Sequence, residues 1–203
     1  MVWYIHNTES KYGLAPGRPK RKEGSETMEI KILDFIQNMR TPIGDSIMCF
    51  ITDLGNAGMI WIVLTVILLL IPKTRKSGFI MAAALILDAI LCNGILKNAF
   101  VRVRPCDVNP AVDLLIPRPE DYSFPSGHTA ASFAAVSALF FAGEKKLWKP
   151  ALLLAVLIAF SRLYLYVHYP TDVLGGIAVG VICGYAGMRL VKQLFKLRKK
   201  ETV

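Results

Sequence analysis

The sequence predicts an all-α protein, a polytopic bundle of membrane-crossing helices. Three observations predict it. The 203 residues are 54% apolar and only 19% charged, with a mean hydropathy of +0.45. The formal charge is nevertheless +9, from 24 Lys and Arg against 15 Asp and Glu. The charges are also segregated, clustering between long apolar stretches. A chain so apolar does not stay disordered. Four scattered cysteines do not make a disulfide framework. A soluble nucleic-acid binder would share the basic pI but not the hydropathy.

A helix needs about 20 apolar residues to cross the hydrocarbon core, and five stretches approach that length. Leu54–Pro72, Tyr122–Gly143 and Val173–Met188 carry no charge, Ser77–Leu96 carries only Asp88, and Pro150–Val167 carries only Arg162. Basic clusters follow alternate stretches: Lys73, Arg75 and Lys76; Lys145, Lys146 and Lys149; and Lys192, Lys196 and Arg198–Lys200. Alternating spans put all three on one face, and the positive-inside rule makes that face cytoplasmic. Lys97–Asp121 and His168–Asp172 then lie outside. Residues 54–196 read as the membrane domain and 197–203 as a basic cytoplasmic tail.

Met1–Thr27 is polar and rich in Gly, Pro, Arg and Lys, with no apolar core, and reads as a flexible tail. Residues 28–53 read as an amphipathic, interfacial segment, with Ile30, Leu33, Ile36 and Ile32, Phe35, Met39 at helical spacing. A sixth crossing there would draw Asp34, Arg40 and Asp45 into lipid, which is costly. Gly176, Gly180 and Gly184 recur every four residues, as do Ala130, Ala134 and Ala138. Small residues at that spacing let helix backbones approach closely.

Three polar pieces converge on the outer face: Lys97-x6-Arg104-Pro105, Pro125-Ser126-Gly127-His128, and Ser161-Arg162-x5-His168-x3-Asp172. Lys97, Arg104 and Arg162 are three cations with no matching carboxylate cluster. Arg forks fit phosphate oxygens and Lys adds a point charge. Ser126 and Gly127 stand where a helix starts, a place that favours anions. His128 and His168 offer a nucleophile and a proton donor. Each residue also has a plainer reading: a span-end cation snorkels, Asp172 caps the last helix, and Arg102 reads equally as solvated or as touching substrate. Asp88 and Asn93 read as hydrogen-bonding groups inside the bundle or as supports for Lys97. Tyr164, Tyr166 and Tyr169 read as an interfacial belt, and Trp61 and Trp148 as bundle or belt residues. Cys92 and Cys183 read as packed thiols. Arg162, inside a span, is the residue that snorkelling explains least.

Together the three pieces resemble, in order and in full, the signature of the type 2 phosphatidic acid phosphatase superfamily, which includes lipid phosphate phosphatases and vanadium haloperoxidases. The resemblance runs from about Asp53 to Lys196 and leaves Met1–Thr27 uncovered. Because this chain reads as a membrane protein, it points to the membrane branch. It implies that His168 attacks phosphorus, that Asp172 orients His168, and that His128 protonates the leaving oxygen. Lys97, Arg104, Ser126, Gly127 and Arg162 would hold the phosphate. No cofactor or metal is implied, and two histidines and an aspartate among cations make a poor divalent site. The expected partner is a phosphorylated lipid among membrane lipids, with no nucleic acid. Candidate substrates are undecaprenyl diphosphate, phosphatidate and phosphatidylglycerol phosphate. The expected location is a bacterial plasma membrane, with the site on the extracytoplasmic side. A phosphotransferase built on the same site, and a non-enzymatic anion-binding membrane protein, remain as alternatives.

Overall fold

A computed structural model describes residues 28–201; the polar tail expected over Met1–Thr27 lies outside them. Among the described residues all regular structure is helical. The helices are α1 (Met28–Asn38), α2 (Pro42–Leu54), α3 (Met59–Leu70), α4 (Arg75–Asp88), α5 (Lys97–Phe100), α6 (Pro105–Val108), α7 (Gly127–Ala142), α8 (Trp148–Tyr164) and α9 (Pro170–Glu201).

Helix α7 is the centre of the bundle, packed on α9, α8 and α4. The core is built of small side chains, with Ala130, Ala134 and Ala138 fully buried. The glycines of α9 face them. A Cβ at Gly176 would lie 2.8 Å from Ser126 O, and one at Gly180 only 2.5 Å from Ala130 O. The expected small-residue seam is therefore the α7–α9 interface. Trp61 on α3 is buried and donates to Ser132 Oγ at 2.9 Å, the bundle role among the two expected for it. The α3–α4 and α7–α8 turns share one end of the bundle, where Ser77 Oγ donates to Glu144 at 2.6 Å.

The apolar stretches and the helices differ in extent. By length and composition, Arg75–Val108 and Pro170–Leu197 suffice to cross a membrane. Pro42–Leu54 with Asn56–Leu70 forms a third candidate, bent by 45°. Helices α7 and α8 have only 16 and 17 residues. The third stretch, expected from Tyr122, becomes helical only at Gly127, because Pro125 interrupts the approach. Between α4 and α5 the helix widens into a π-helical segment, Ala89–Leu96, a feature that often accompanies functional positions. The boundary expected between Asp53 and Leu54 falls at the last turn of α2, so that residues 42–53 lead directly into the bundle. The basic end expected as a tail from residue 197 continues α9 as helix to Glu201.

Helix α1 buries Ile30, Leu33 and Ile36 against Cys106, Leu165, Tyr166, Val167 and Tyr169. Its other apolar face, Ile32, Phe35 and Met39, is exposed. The amphipathic pattern is thus two-sided, with one face docked on protein. The three tyrosines depart from the belt expectation for the same reason. All are buried under α1 and α2. Tyr164 Oη donates to Asp45 at 2.8 Å and Tyr166 Oη to Asp34 at 2.6 Å, while Arg102 stacks on Tyr169 at 4.0 Å. Two of the three charges that argued against burying this segment therefore have partners on the bundle. Cys49 and Cys106 are both free thiols.

Candidate active site

At the end of the bundle opposite the α3–α4 turn lies a cavity of about 730 Å³. Lys97, Arg104, Gly127, His128, Arg162 and His168 all line it. The three sequence pieces thus meet, each delivered by a helix end. Lys97 opens α5, where the π-helical segment closes. His128 is the second residue of α7. Arg162 lies in the last turn of α8, and His168 sits in the loop before α9. The cations are nearly inaccessible, with Lys97 7%, Arg104 2% and Arg162 4% exposed.

Arg104 donates through Nη1 to Val167 O at 2.7 Å and lies 3.1 Å from His168 Nε2. A guanidinium has donors only, so Nε2 must be the acceptor. The neutral His168 ring therefore carries its proton on Nδ1. Burial, reinforced by Arg104, Arg162 and Lys97, pushes His168 well below the ordinary imidazole value. At neutral pH the ring is therefore neutral, with an Nε2 lone pair facing the cavity side.

Asp172 is fully buried behind His168. Its Oδ2 lies 3.6 Å from His168 Nδ1 and accepts from Ser123 Oγ at 2.5 Å and from the Tyr169 N–H at 2.8 Å. With Pro170 at the first helical position, Asp172 reaches back to the residue that precedes the helix, as the acidic member of a capping box does. The capping reading and the histidine-facing reading are therefore both present. Its Oδ1 accepts from Arg102 at 2.6 Å, and Arg102 also donates to Glu29 and Thr171, each at 2.6 Å. Arg102 is partly exposed, lies outside the cavity lining and ties Asp172 to α1. Val101 beside it has φ 49°, an uncommon conformation for a β-branched residue. This turn lies just before Arg102 and Arg104, which reach different partners.

His128 Nε2 lies 2.9 Å from Asn56 Oδ1. Asn56 donates its Nδ2 to Asp53 at 3.0 Å, and a carboxylate only accepts, so the Asn56 oxygen faces the histidine. The proton of neutral His128 is accordingly on Nε2. In their neutral forms the two histidines thus hold opposite tautomers, one with an Nε2 lone pair engaged by Arg104 and one with an Nε2 proton. A Cβ on Gly55 would meet His128 Cδ2 at 2.9 Å, so the α2–α3 bend fits directly against the ring.

Gly127 lines the cavity, and a Cβ there would stand 3.1 Å from Asn93 Oδ1 and 3.8 Å from Lys97 Nζ. Ser126 is fully buried, accepts from Thr129 Oγ1 at 2.9 Å, and lies outside the cavity lining. Its N–H donates to Asp172 O at 3.0 Å, which joins α7 to α9 at the site. Arg162 donates through Nη1 to Thr52, and its Nε is buried with no partner. Asp88 also lines the cavity with Oδ1 unpartnered. Thr52, Asp53, Asn56, Asn93, Arg118 and Asp121 add to the polar lining; none is a named residue of the three pieces.

A family model described as the PAP2 superfamily matches residues 77–196. The chain belongs to that superfamily. It is similar to an undecaprenyl-diphosphatase of Sulfolobus acidocaldarius, 34% identical over 137 residues, covering 67% of this chain and 65% of that protein. It spans just under two thirds of that relative's length. It is also similar to phosphatidylglycerophosphatase B of Bacillus subtilis, 32% identical over 174 residues, 80% of this chain and 82% of that one. Among solved structures, the crystal structure of Aquifex aeolicus LpxE superposes with a TM-score of 0.70 at 28% identity, covering 80% of this chain and 96% of the other.

Proposed function

We propose that this chain is an integral-membrane lipid phosphatase that hydrolyses a phosphomonoester or diphosphate headgroup through a phosphohistidine. The observation that carries the reading is the convergence of two histidines and three buried cations on one cavity. His168 Nε2 attacks phosphorus with its lone pair. The bond from phosphorus to the leaving oxygen breaks, and that oxygen takes the Nε2 proton of His128 in its imidazolium form, protonated at Nδ1 as well once the anionic headgroup is bound, so that a neutral imidazole remains. His128, now unprotonated at Nε2, accepts a proton from water. The resulting hydroxide attacks the phosphohistidine, the P–N bond breaks, and orthophosphate leaves. Lys97, Arg104 and Arg162 stabilise the charge on the transferred phosphoryl group, and the Arg162 Nε that lacks a protein partner is free to take a phosphate oxygen. Gly127 gives the phosphate close access to the start of α7, and Ser126 holds that helix start against Asp172. Asp172 Oδ2, 3.6 Å from Nδ1, faces the protonated side of the His168 ring and stabilises the positive charge that the ring acquires on phosphorylation.

In this reading the bundle crosses the bilayer five times, through the bent α2–α3 pair, α4–α5, α7, α8 and α9, with α1 in the interface. Helices of 16 and 17 residues rise about 24–26 Å. Segments 122–126 and 165–167 supply the remaining depth to about 30 Å. The basic α3–α4 and α7–α8 turns face the cytoplasm, which opens the cavity to the extracytoplasmic side of a bacterial plasma membrane. The names of the relatives favour undecaprenyl diphosphate or phosphatidylglycerol phosphate as substrate, with phosphatidate of the same class. The test is an acid-labile phosphoprotein formed from ³²P-labelled lipid phosphate and lost in His168→Ala, run beside a panel of lipid mono- and diphosphates. Full turnover by His168→Ala would refute the mechanism.

A further inference from the structure

Asp121 has no part in the reaction above, yet it occupies the cations that the reaction needs. It lies on the non-helical connection between α6 and α7, four residues before Pro125. Its side chain is 53% exposed, whereas those of Lys97 and Arg104 are 8% and 3% exposed. Both carboxylate oxygens are engaged. Oδ2 accepts from Lys97 Nζ, and Oδ1 accepts from Arg104 Nη2 at 2.5 Å. The Asp121 carbonyl also accepts from Arg104 Nε at 2.8 Å. The cations are anchored on helix ends, and the carboxylate enters the cavity from its open side. Two oxygens bridging an ammonium and a guanidinium reproduce two oxygens of a bound phosphate. Arg162 takes no part, and its buried Nε is unpartnered.

We propose that Asp121 is a specificity-determining residue: its carboxylate occupies two oxygen positions of the headgroup phosphate and yields them to anions of charge −2 or more, and poorly to anions of charge −1. The inference rests on the phosphatase reading of the cavity. Seating a ligand means returning the carboxylate to water and placing the ligand on Lys97, Arg104 and Arg162. A phosphodiester replaces one negative charge by one negative charge and gains only Arg162. A phosphomonoester dianion, or the terminal phosphate of a diphosphate, adds a second charge among three buried cations, where Coulomb attraction is weakly screened. A site open to the bilayer is surrounded by singly charged phosphodiester headgroups, and an internal carboxylate keeps them off the cations. The carboxylate stays ionised for this purpose. Burial opposes its charge, but the Lys97 hydrogen bond and the Arg104 field hold it at about 2.

The test compares the wild type, Asp121→Asn and Asp121→Glu, as full chains in detergent micelles. The first arm measures inhibition of lipid-phosphomonoester hydrolysis by phosphatidylglycerol, a monoanionic diester, and by inorganic phosphate at pH 8. The second measures direct binding of inorganic phosphate and of short-chain phosphatidylglycerol by ³¹P line broadening, which needs no turnover. Asp121→Asn strengthens phosphatidylglycerol binding at least tenfold and inorganic phosphate binding by a smaller factor, while Asp121→Glu stays within threefold of the wild type. Unchanged phosphatidylglycerol binding in Asp121→Asn, or equal strengthening for both anions, overturns the proposal. A wild type that binds phosphate but hydrolyses no lipid phosphate refutes the phosphatase reading instead, and the binding arm still decides the role of Asp121.

Discussion

Replacing Gly180 by alanine adds one methyl group where α9 presses directly on the backbone of α7. The new Cβ would lie 2.5 Å from Ala130 O, 2.7 Å from Ala134 N and 2.8 Å from Phe133 Cβ. Two of these are backbone atoms of α7, which no rotamer change can move aside. The ordinary C···O approach is about 3.3 Å, so the helices must separate locally by about 0.8 Å. Overpacking of this kind costs about 1–3 kcal/mol, and alanine returns about 1 kcal/mol of helix propensity. The net loss of stability is thus modest, at most about 2 kcal/mol. Activity is more sensitive. His128 opens α7, Asp172 stands in the first turn of α9, and the Ser126–Asp172 backbone bond joins the two. A displacement near 1 Å between groups that must act together costs on the order of 100-fold in rate. The assay is kcat on a lipid phosphate for Gly180→Ala, with thermal unfolding in the same detergent. Gly94→Ala is the control. A Cβ there meets nothing closer than 4.0 Å, so it keeps wild-type kcat. A Gly180→Ala enzyme within twofold of wild-type kcat would show that the seam does not set the geometry of the site.

Two further outcomes follow from single contacts. His128→Ala lowers kcat by about 10²–10⁴-fold; Asn56→Ala, which removes the acceptor fixing the His128 tautomer, lowers it by about tenfold, and the double variant is no slower than His128→Ala alone. Asp121 is held at about 2 against about 3.9 for an unfolded aspartate; a carboxyl depressed on folding stabilises above its unfolded value and loses that contribution as pH falls through the folded one. The melting-temperature gap between wild type and Asp121→Asn is therefore constant from pH 8 to 5 and closes toward pH 2, as read by thermal unfolding across that range.

The architecture was legible in the sequence wherever periodicity and charge act over whole helices. The glycine repeat of α9 and the alanine repeat of α7 announced a close seam, and the two pack as facing surfaces. The polar pieces around Lys97, His128 and His168 also converge on one cavity. Helix extents were less legible, because hydropathy does not distinguish an apolar helix from an apolar approach to one: Tyr122–Ser126 is uncharged but stays irregular until Gly127. The tyrosines near the end of α8 carried the composition of a membrane belt, and only the docked α1–α2 segment reveals what they hold.

That segment also explains why the surroundings of the site could not be read from its motif. Glu29 holds Arg102, which holds Asp172; Thr52 holds Arg162; Asn56 holds His128. Two groups of the proposed chemistry, Arg162 and His128, and Arg102 behind Asp172 are thus each reached by one residue between Glu29 and Asn56, across 110, 72 and 73 residues of chain. All three partners precede residue 77, where the family match begins. No local pattern marks them, since a lone Glu, Thr or Asn on an amphipathic segment is an ordinary polar-face residue. A buried cation or histidine, however, requires a partner, and the motif supplies too few. Arg102 has two acceptors within the family region, Asp172 and Thr171, and its third nitrogen-bound demand is met only by Glu29. The N-terminal helices therefore extend the polar network behind the cavity while presenting Ile32, Phe35, Ile43 and Phe50 outward, so the same short segment joins an exposed apolar surface to the groups that contact Arg162 and His128.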